Sequence, residues 1–177
     1  MSQYVGFVRA VNVRGHPTLK MSDIKEAFTA SGCTNVRTCI QSGNVIFETP
    51  QPPTATFESI RVNLHKLTGS EPTVLFRRLK DVRRIVEIDP FAPIDRDSHV
   101  KLYVAFLSGK PAKRPAFPIR SLNEGLEAIG MDKLDVFVVS RPKQNGFYGI
   151  PNIFVEKELG VVATSRNWST IAKVARR

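Results

Sequence analysis

The chain has two cysteines, three histidines and one tryptophan in 177 residues, and no apolar run approaches the roughly 18 residues of a membrane span. Each shortage excludes something. Cys33 and Cys39 lie six apart across a predicted helix end and strand. That spacing fits neither a C-x-x-C redox pair nor a zinc knuckle, so two buried free thiols are expected. His16, His65 and His99 are scattered without ligand-like spacing, and no metal is expected. No stretch matches the G-x-x-x-x-G-K-[ST] or G-x-G-x-x-G phosphate loops, and no cofactor is expected. The start, MSQYVGFVRAVNV, runs straight into a strand pattern without charged leader, apolar stretch or small-residue cleavage site. The expectation is a cytoplasmic protein with no membrane segment.

What is present is a core and a charge. Hydrophobic residues make up 42%, enough to bury a core in one domain or two small, tightly joined ones. Lys and Arg number 26 against 16 acidic residues, a formal charge of +10. Residues 1–90 carry 12 basic and 8 acidic groups, residues 91–177 carry 14 and 8, so the excess is spread along the chain. Such a field favours anionic partners, nucleic acid or a phosphate-containing ligand. The acidic residues come in local pairs, such as Asp95/Asp97 and Asp132/Asp135. Helix caps and solvated faces account for them, which leaves general acid–base chemistry without support.

The periodicity predicts an α+β protein. A strand over 3–11 leads through the loop NVRGHPTLK to a helix capped by Ser22 and stopped at Gly32. Strands VRTCI (36–40) and NVIFE (44–48) turn through Gln41-Ser42-Gly43. Phe57, Ile60, Leu64 and Leu67 recur at helical spacing up to Gly69, and TVLFRRL (73–79) is a fourth strand. This is the ferredoxin-like order β-α-β-β-α-β, followed by a short helix near 81–88 and the linker DPFAPIDRD. The second half is expected to repeat it. It has a strand over 100–108, a helix opened by the capping box Ser121–Glu124 with Gly130 beyond its end, and a hairpin of 134–140 with 146–150. A helix from Pro151, a strand over 161–164 and an added C-terminal helix complete it. Two ferredoxin-like units packed together are the expectation, residues 1–89 with a linking helix and 98–177 with the C-terminal helix.

Three segments are candidates for binding. In RAVNVRGHPTLK, Arg9 shares a strand face with Phe7 and Val11, where a charge must be paired or turned to an open sheet face. Asn12 follows in a Gly-containing loop ahead of a helix, a place where backbone N–H groups can meet an anion. In IQSGNV, Gln41, Ser42 and Asn44 first suit a hairpin turn, and are also uncharged hydrogen-bonding groups suited to a carboxamide, base or sugar. Ser42 lacks a G-x-S-x-G elbow, so it is not read as a nucleophile. At the end, Asn167 can cap the last helix, as can Thr164 or Ser165, with Trp168 and Ile171 on the buried stripe. Arg166 is left over, because a helix N-terminus disfavours a cation. It is explained by a bound phosphate-like anion or by an internal carboxylate. QNGFYGI (144–150) approaches the aromatic strand of RNA-recognition domains but holds one residue too many. The match is set aside, while a single exposed aromatic for base stacking stays open.

RAVNVRG, VRTCIQSGNVIFE and ATSRNWSTIAKVA, in that order, resemble the mainly bacterial family known as domain of unknown function 1697. The chain departs from its pattern at Ala10, Arg14 and Cys39, where the family has Gly, Gly and Tyr. The resemblance implies a double α+β fold without an assigned activity, and directs attention to Arg9, Asn12, Gln41, Ser42, Asn44, Arg166, Asn167 and Trp168. The functional expectation is binding of an anionic ligand. The alternatives are an enzyme on a small polar substrate oriented by Gln41, Asn44 and Asn167, and a scaffold without ligand. Nothing in the sequence fixes the oligomeric state.

Overall fold

The computed structural model describes residues 1–9, 19–40, 43–50, 52–69 and 72–177. The expected site residues Asn12, Gln41 and Ser42 lie outside the described residues. The architecture is α+β, with a four-stranded and a five-stranded antiparallel sheet and five α-helices among the described residues. The chain divides into two compact units, residues 1–84 with 173–177, and residues 85–172.

The first unit runs β1 (Ser2–Val8), α1 (Met21–Ala30), β2 (Thr34–Cys39), β3 (Asn44–Thr49), α2 (Thr54–Thr68) and β4 (Val74–Arg78). Its sheet has the order β2-β3-β1-β4, with every neighbouring pair antiparallel. Strand alternation sends Tyr4, Val8, Val45, Phe47 and Val74 to one face. There they meet Ile24, Ala27 and Phe28 of α1 and Ile60 and Leu64 of α2, spaced three and four apart as a helix stripe requires. Each fully buried side chain of this size contributes about 1.5–3 kcal/mol of burial free energy. Gly6 belongs to the same strand face, and a Cβ there would stand 2.8 Å from Phe28 Cζ. Only glycine lets that ring lie against the strand. Gly69, at φ +66°, ends α2 where the sequence placed the stop. Ser22 is not the cap of α1. It lies inside the helix with its hydroxyl on Asp23, and the N-cap position belongs to Lys20, which makes no side-chain cap bond. Cys33 and Cys39 are both buried and free.

Helix α3 (Leu79–Ile88) leads onward, and the second unit contains β5 (Lys101–Leu107), β6 (Ile119–Ser121), β7 (Leu126–Asp132), β8 (Asp135–Ser140), α4 (Pro151–Leu159) and β9 (Ala163–Asn167), with α5 (Trp168–Ala175) closing the chain. Its sheet order is β6-β7-β8-β5-β9. One face carries Ala105, Leu107, Leu126, Ala128, Val136 and Val138 against Phe154 and Val155 of α4. The opposite face is buried as well, and Phe91 from the linker packs its ring edge-on against Phe137 and Trp168, at 6.0 and 5.2 Å.

Here the expected repeat fails. The capping box at Ser121 opens a single 3-10 turn, Leu122–Glu124, and Gly125 at φ +63° stops it. The following residues form strand β7 rather than a helix. Leu122 and Leu126 do recur at helical spacing, but Leu126 and Ala128 also alternate. The ladder with β8 wins, burying both while Leu122 is left 89% exposed. The expected hairpin of 134–140 with 146–150 is replaced by the hairpin β7–β8, turning at Lys133 (φ +53°), and 141–150 holds no strand. Strand β6 had no counterpart in the sequence reading. No α-helix stands between β5 and β7, so the second unit does not follow β-α-β-β-α-β.

Candidate functional site

In the first unit, Arg9 directly follows β1, and its N–H donates to the Thr73 carbonyl at 2.8 Å, extending the ladder one step. It is half-buried. Beside it, the Val8 N–H donates to the Gly43 carbonyl at 2.8 Å. The end of β1, where Arg9 stands, and Gly43 at the start of β3 are therefore neighbours at one end of this sheet. Asn44 faces Phe7 across the ladder and is fully buried. Its Nδ2 donates to the Cys39 carbonyl at 3.0 Å, tying the strand on either side of the turn. An amide used this way holds a hairpin shut, and leaving it unbonded inside the protein would cost about 1–3 kcal/mol.

In the second unit, β9 continues through Thr164, Ser165, Arg166 and Asn167, so Arg166 is a strand residue and not part of the helix start. Register places it opposite Val104, which itself opposes Phe137, on the sheet face away from α4. The residue is 9% exposed. Its Nη1 donates to the Thr164 hydroxyl at 2.9 Å and to the Ser165 carbonyl at 2.8 Å. Burial pushes its pKa down to about 10, which still leaves it charged at neutral pH. Asp135, also buried, lies on the same face in the next row, across Phe106 from Thr164.

Asn167 is the cap of α5. Its Oδ1 accepts from the Ser169 N–H at 2.9 Å and from the Ser169 hydroxyl at 2.8 Å. Thr164 and Ser165, the other candidates, lie in the strand. Asn167 also bonds the Tyr103 side chain across the ladder, and burial is the larger influence on that phenol, raising its pKa. Ser165 in turn meets Asn152 Oδ1 at the start of α4, 3.3 Å away. Trp168 is half-buried against Phe91. Among the described residues, no three His, Cys, Asp or Glu side chains gather into a metal-binding group. No helix among them is long and apolar enough to cross a membrane.

Of the expected residues, the structure thus gives internal hydrogen-bonding partners to Asn44, Arg166 and Asn167. Arg9 stands directly after β1, its N–H held by the Thr73 carbonyl. The Tyr103–Asn167 and Ser165–Asn152 bonds escaped the sequence reading, because their members come from β5, β9 and α4 and share no local motif. So did the position of Phe147, 70% exposed in the segment 141–150. Its only sequence signal was the aromatic stretch set aside as a poor RNA-recognition strand.

The fold has a solved counterpart. The conserved bacterial protein SP0830 from Streptococcus pneumoniae superimposes with a TM-score of 0.65 at 17% identity, covering 99% of this chain and 97% of its own. At that identity the likeness speaks for the fold alone. No curated protein matches the chain in sequence. The sequence profile of a family described as a protein of unknown function, DUF1697, matches residues 1–137, a span that holds the RAVNVRG and IQSGNV segments and stops short of Arg166. The chain belongs to the DUF1697 family.

Proposed function

We propose that the protein binds an anionic ligand, a nucleic acid or a phosphorylated small molecule, with Arg9, Asn12, Gln41 and Ser42 as the contact residues at the end of the first sheet. The observation that carries this reading is the +10 charge, borne on exposed side chains of both units. The loop after β5 alone presents Lys110, Lys113 and Arg114, none of which has a carboxylate partner among the described residues. Asn44, Arg166 and Asn167 belong to the frame in this reading. Asn44 ties the end of β2 to the start of β3, the strands that flank Gln41 and Ser42 in the sequence, while Arg166 and Asn167 fix β9 and the start of α5. The shared inner strand order also supports kinship of the two units. β2-β3-β1-β4 corresponds to β7-β8-β5-β9, as in two ferredoxin-like units of which the second has lost its first crossover helix.

The test is binding of labelled single-stranded RNA and DNA at physiological salt, wild type against Arg9→Gln, with pyrophosphate as competitor. Weaker binding by the variant supports the loop end as the contact. Unchanged binding removes Arg9 from it, and displacement by micromolar pyrophosphate points to a small phosphorylated ligand.

A further inference from the structure

The second unit carries a cleft formed where the capping-box turn meets the QNGFYGI segment. It measures about 350 Å³, in the lower range of small-ligand clefts, and is lined by Leu122, Asn123, Lys143, Gln144 and Asn145. Two backbone segments are pinned together to make it. The Arg141 N–H donates to the Gly125 carbonyl at 2.8 Å. Gly149 comes so close to the 3-10 turn that a Cβ would stand 2.5 Å from the Glu124 carbonyl oxygen. The segment between them is a closed turn. Lys143 N–H donates to the Phe147 carbonyl and Gly146 N–H to the Lys143 carbonyl, each at 2.8 Å, and the Asn145 side chain accepts from the Phe147 N–H at 3.1 Å. These hydrogen bonds tie the Phe147 backbone to Lys143 and Asn145, two residues that line the cleft, and the Phe147 ring itself is 70% exposed.

The surroundings favour one class of cover. Lys143 has no carboxylate partner, and the side-chain amides of Asn123 and Gln144 make no hydrogen bond among the described residues. Arg141 stands near, 3.5 Å from Glu127, which it shares with Arg120 at 2.8 Å. Glu124 turns Oε2 inward, buried without a hydrogen-bond partner in the described structure. Leu122 and Phe147 are exposed in segments that also carry Asn123, Gln144, Lys143 and Arg141, and Ile150, 57% exposed, ends the second of them. An aromatic face for stacking, free amides for base edges and cations for phosphate are the parts of a single-strand nucleic-acid site.

We propose that this cleft takes an unpaired base of a single-stranded nucleic acid, stacked on Phe147, with Lys143 on the adjoining phosphate and Asn123 and Gln144 along the base edge. This site is built from residues of the second unit alone and does not depend on the contact proposed at Arg9.

The test compares wild type, Phe147→Ala and Phe147→Trp with two labelled probes, a short oligothymidylate and an abasic oligonucleotide of equal length. The expected result is that Phe147→Ala weakens oligothymidylate binding by about fivefold to a hundredfold, the range of one base stack. Abasic binding stays as in wild type, and Phe147→Trp restores affinity with its fluorescence quenched by the oligothymidylate. Because the ring is exposed, the alanine variant keeps its fold, checked by an unchanged melting temperature. Equal binding of both probes by all three proteins overturns the stack while leaving charge-driven binding intact. No binding of either probe overturns the stack and leaves the small phosphorylated ligand as the reading of the first site. Concentration-dependent self-association lost in Phe147→Ala, without probe binding, assigns the ring to a protein interface and overturns the proposal.

Discussion

A side-chain carbon at position 125 would stand 2.3 Å from the Arg141 carbonyl oxygen, at a residue whose φ is +63°. Gly125 thus combines two demands that only glycine meets, a left-handed backbone and contact with the neighbouring strand end. Its carbonyl accepts the Arg141 N–H, so Gly125 is one of the two points, with Gly149, at which the turn 122–125 and the segment 141–149 are pinned together. Gly125→Ala is expected to cost about 2 kcal/mol or more by urea denaturation. A loss under about 0.5 kcal/mol would show that the two segments can part freely.

Arg166 anchors a strand. Arg166→Ala removes the donor that serves the Thr164 hydroxyl and the Ser165 carbonyl and leaves a hole in a buried face. Stability should fall by about 2–4 kcal/mol. Ligand affinity, measured well below the melting temperature, should hold within twofold. Affinity lost at unchanged stability would return Arg166 to the binding site.

Asn167→Ala should cost about 1 kcal/mol, the usual worth of a helix cap, while Asn167→Asp keeps the accepting oxygen for Ser169 and retains most of that stability. Thermal melts of the two variants against wild type read this directly. Equal losses for both would mean that the bond to Tyr103, and not the cap, is what Asn167 supplies.

Burial in the first core raises the Cys33 thiol from its ordinary 9.0 to about 11. A thiol raised in the folded state adds stability that is complete below pH 9 and lost as the pH climbs through 11, because the unfolded chain ionises first. The stability difference between wild type and Cys33→Ala should therefore shrink across that window. A constant difference from pH 8 to 11 would contradict it. At pH 8 a thiol reagent should label native protein far more slowly than protein unfolded in urea.

The first unit was legible in the sequence because its signals are local. Ile24, Ala27 and Phe28, then Ile60 and Leu64, keep helical spacing over whole helices, and Gly69 stops the second. In the second unit the decisive residues are few and ambiguous. Leu122–Leu126 reads as a helix stripe until Gly125 and the β8 ladder are known. Pairing between strands distant in the chain decided the outcome, and propensity over one turn was too weak to oppose it. For the candidate site, turn and cap chemistry announced Asn44 and Asn167 as special, and their partners turned out to be the Cys39 carbonyl and Ser169. Phe147 lies in the QNGFYGI stretch, where the sequence leaves a single exposed aromatic open, and its 70% exposure is what singles it out.

The measurement that bears most directly on the account is a salt titration of labelled single-stranded RNA binding to the wild-type protein. Released counterions make the logarithm of the association constant fall linearly with the logarithm of salt, by roughly 0.7 per phosphate neutralised on a single strand. The account predicts saturable binding near physiological salt and a slope of about −2 or steeper. Absence of binding even at low salt, or binding indifferent to salt, would contradict it and reduce the +10 charge to a matter of solubility.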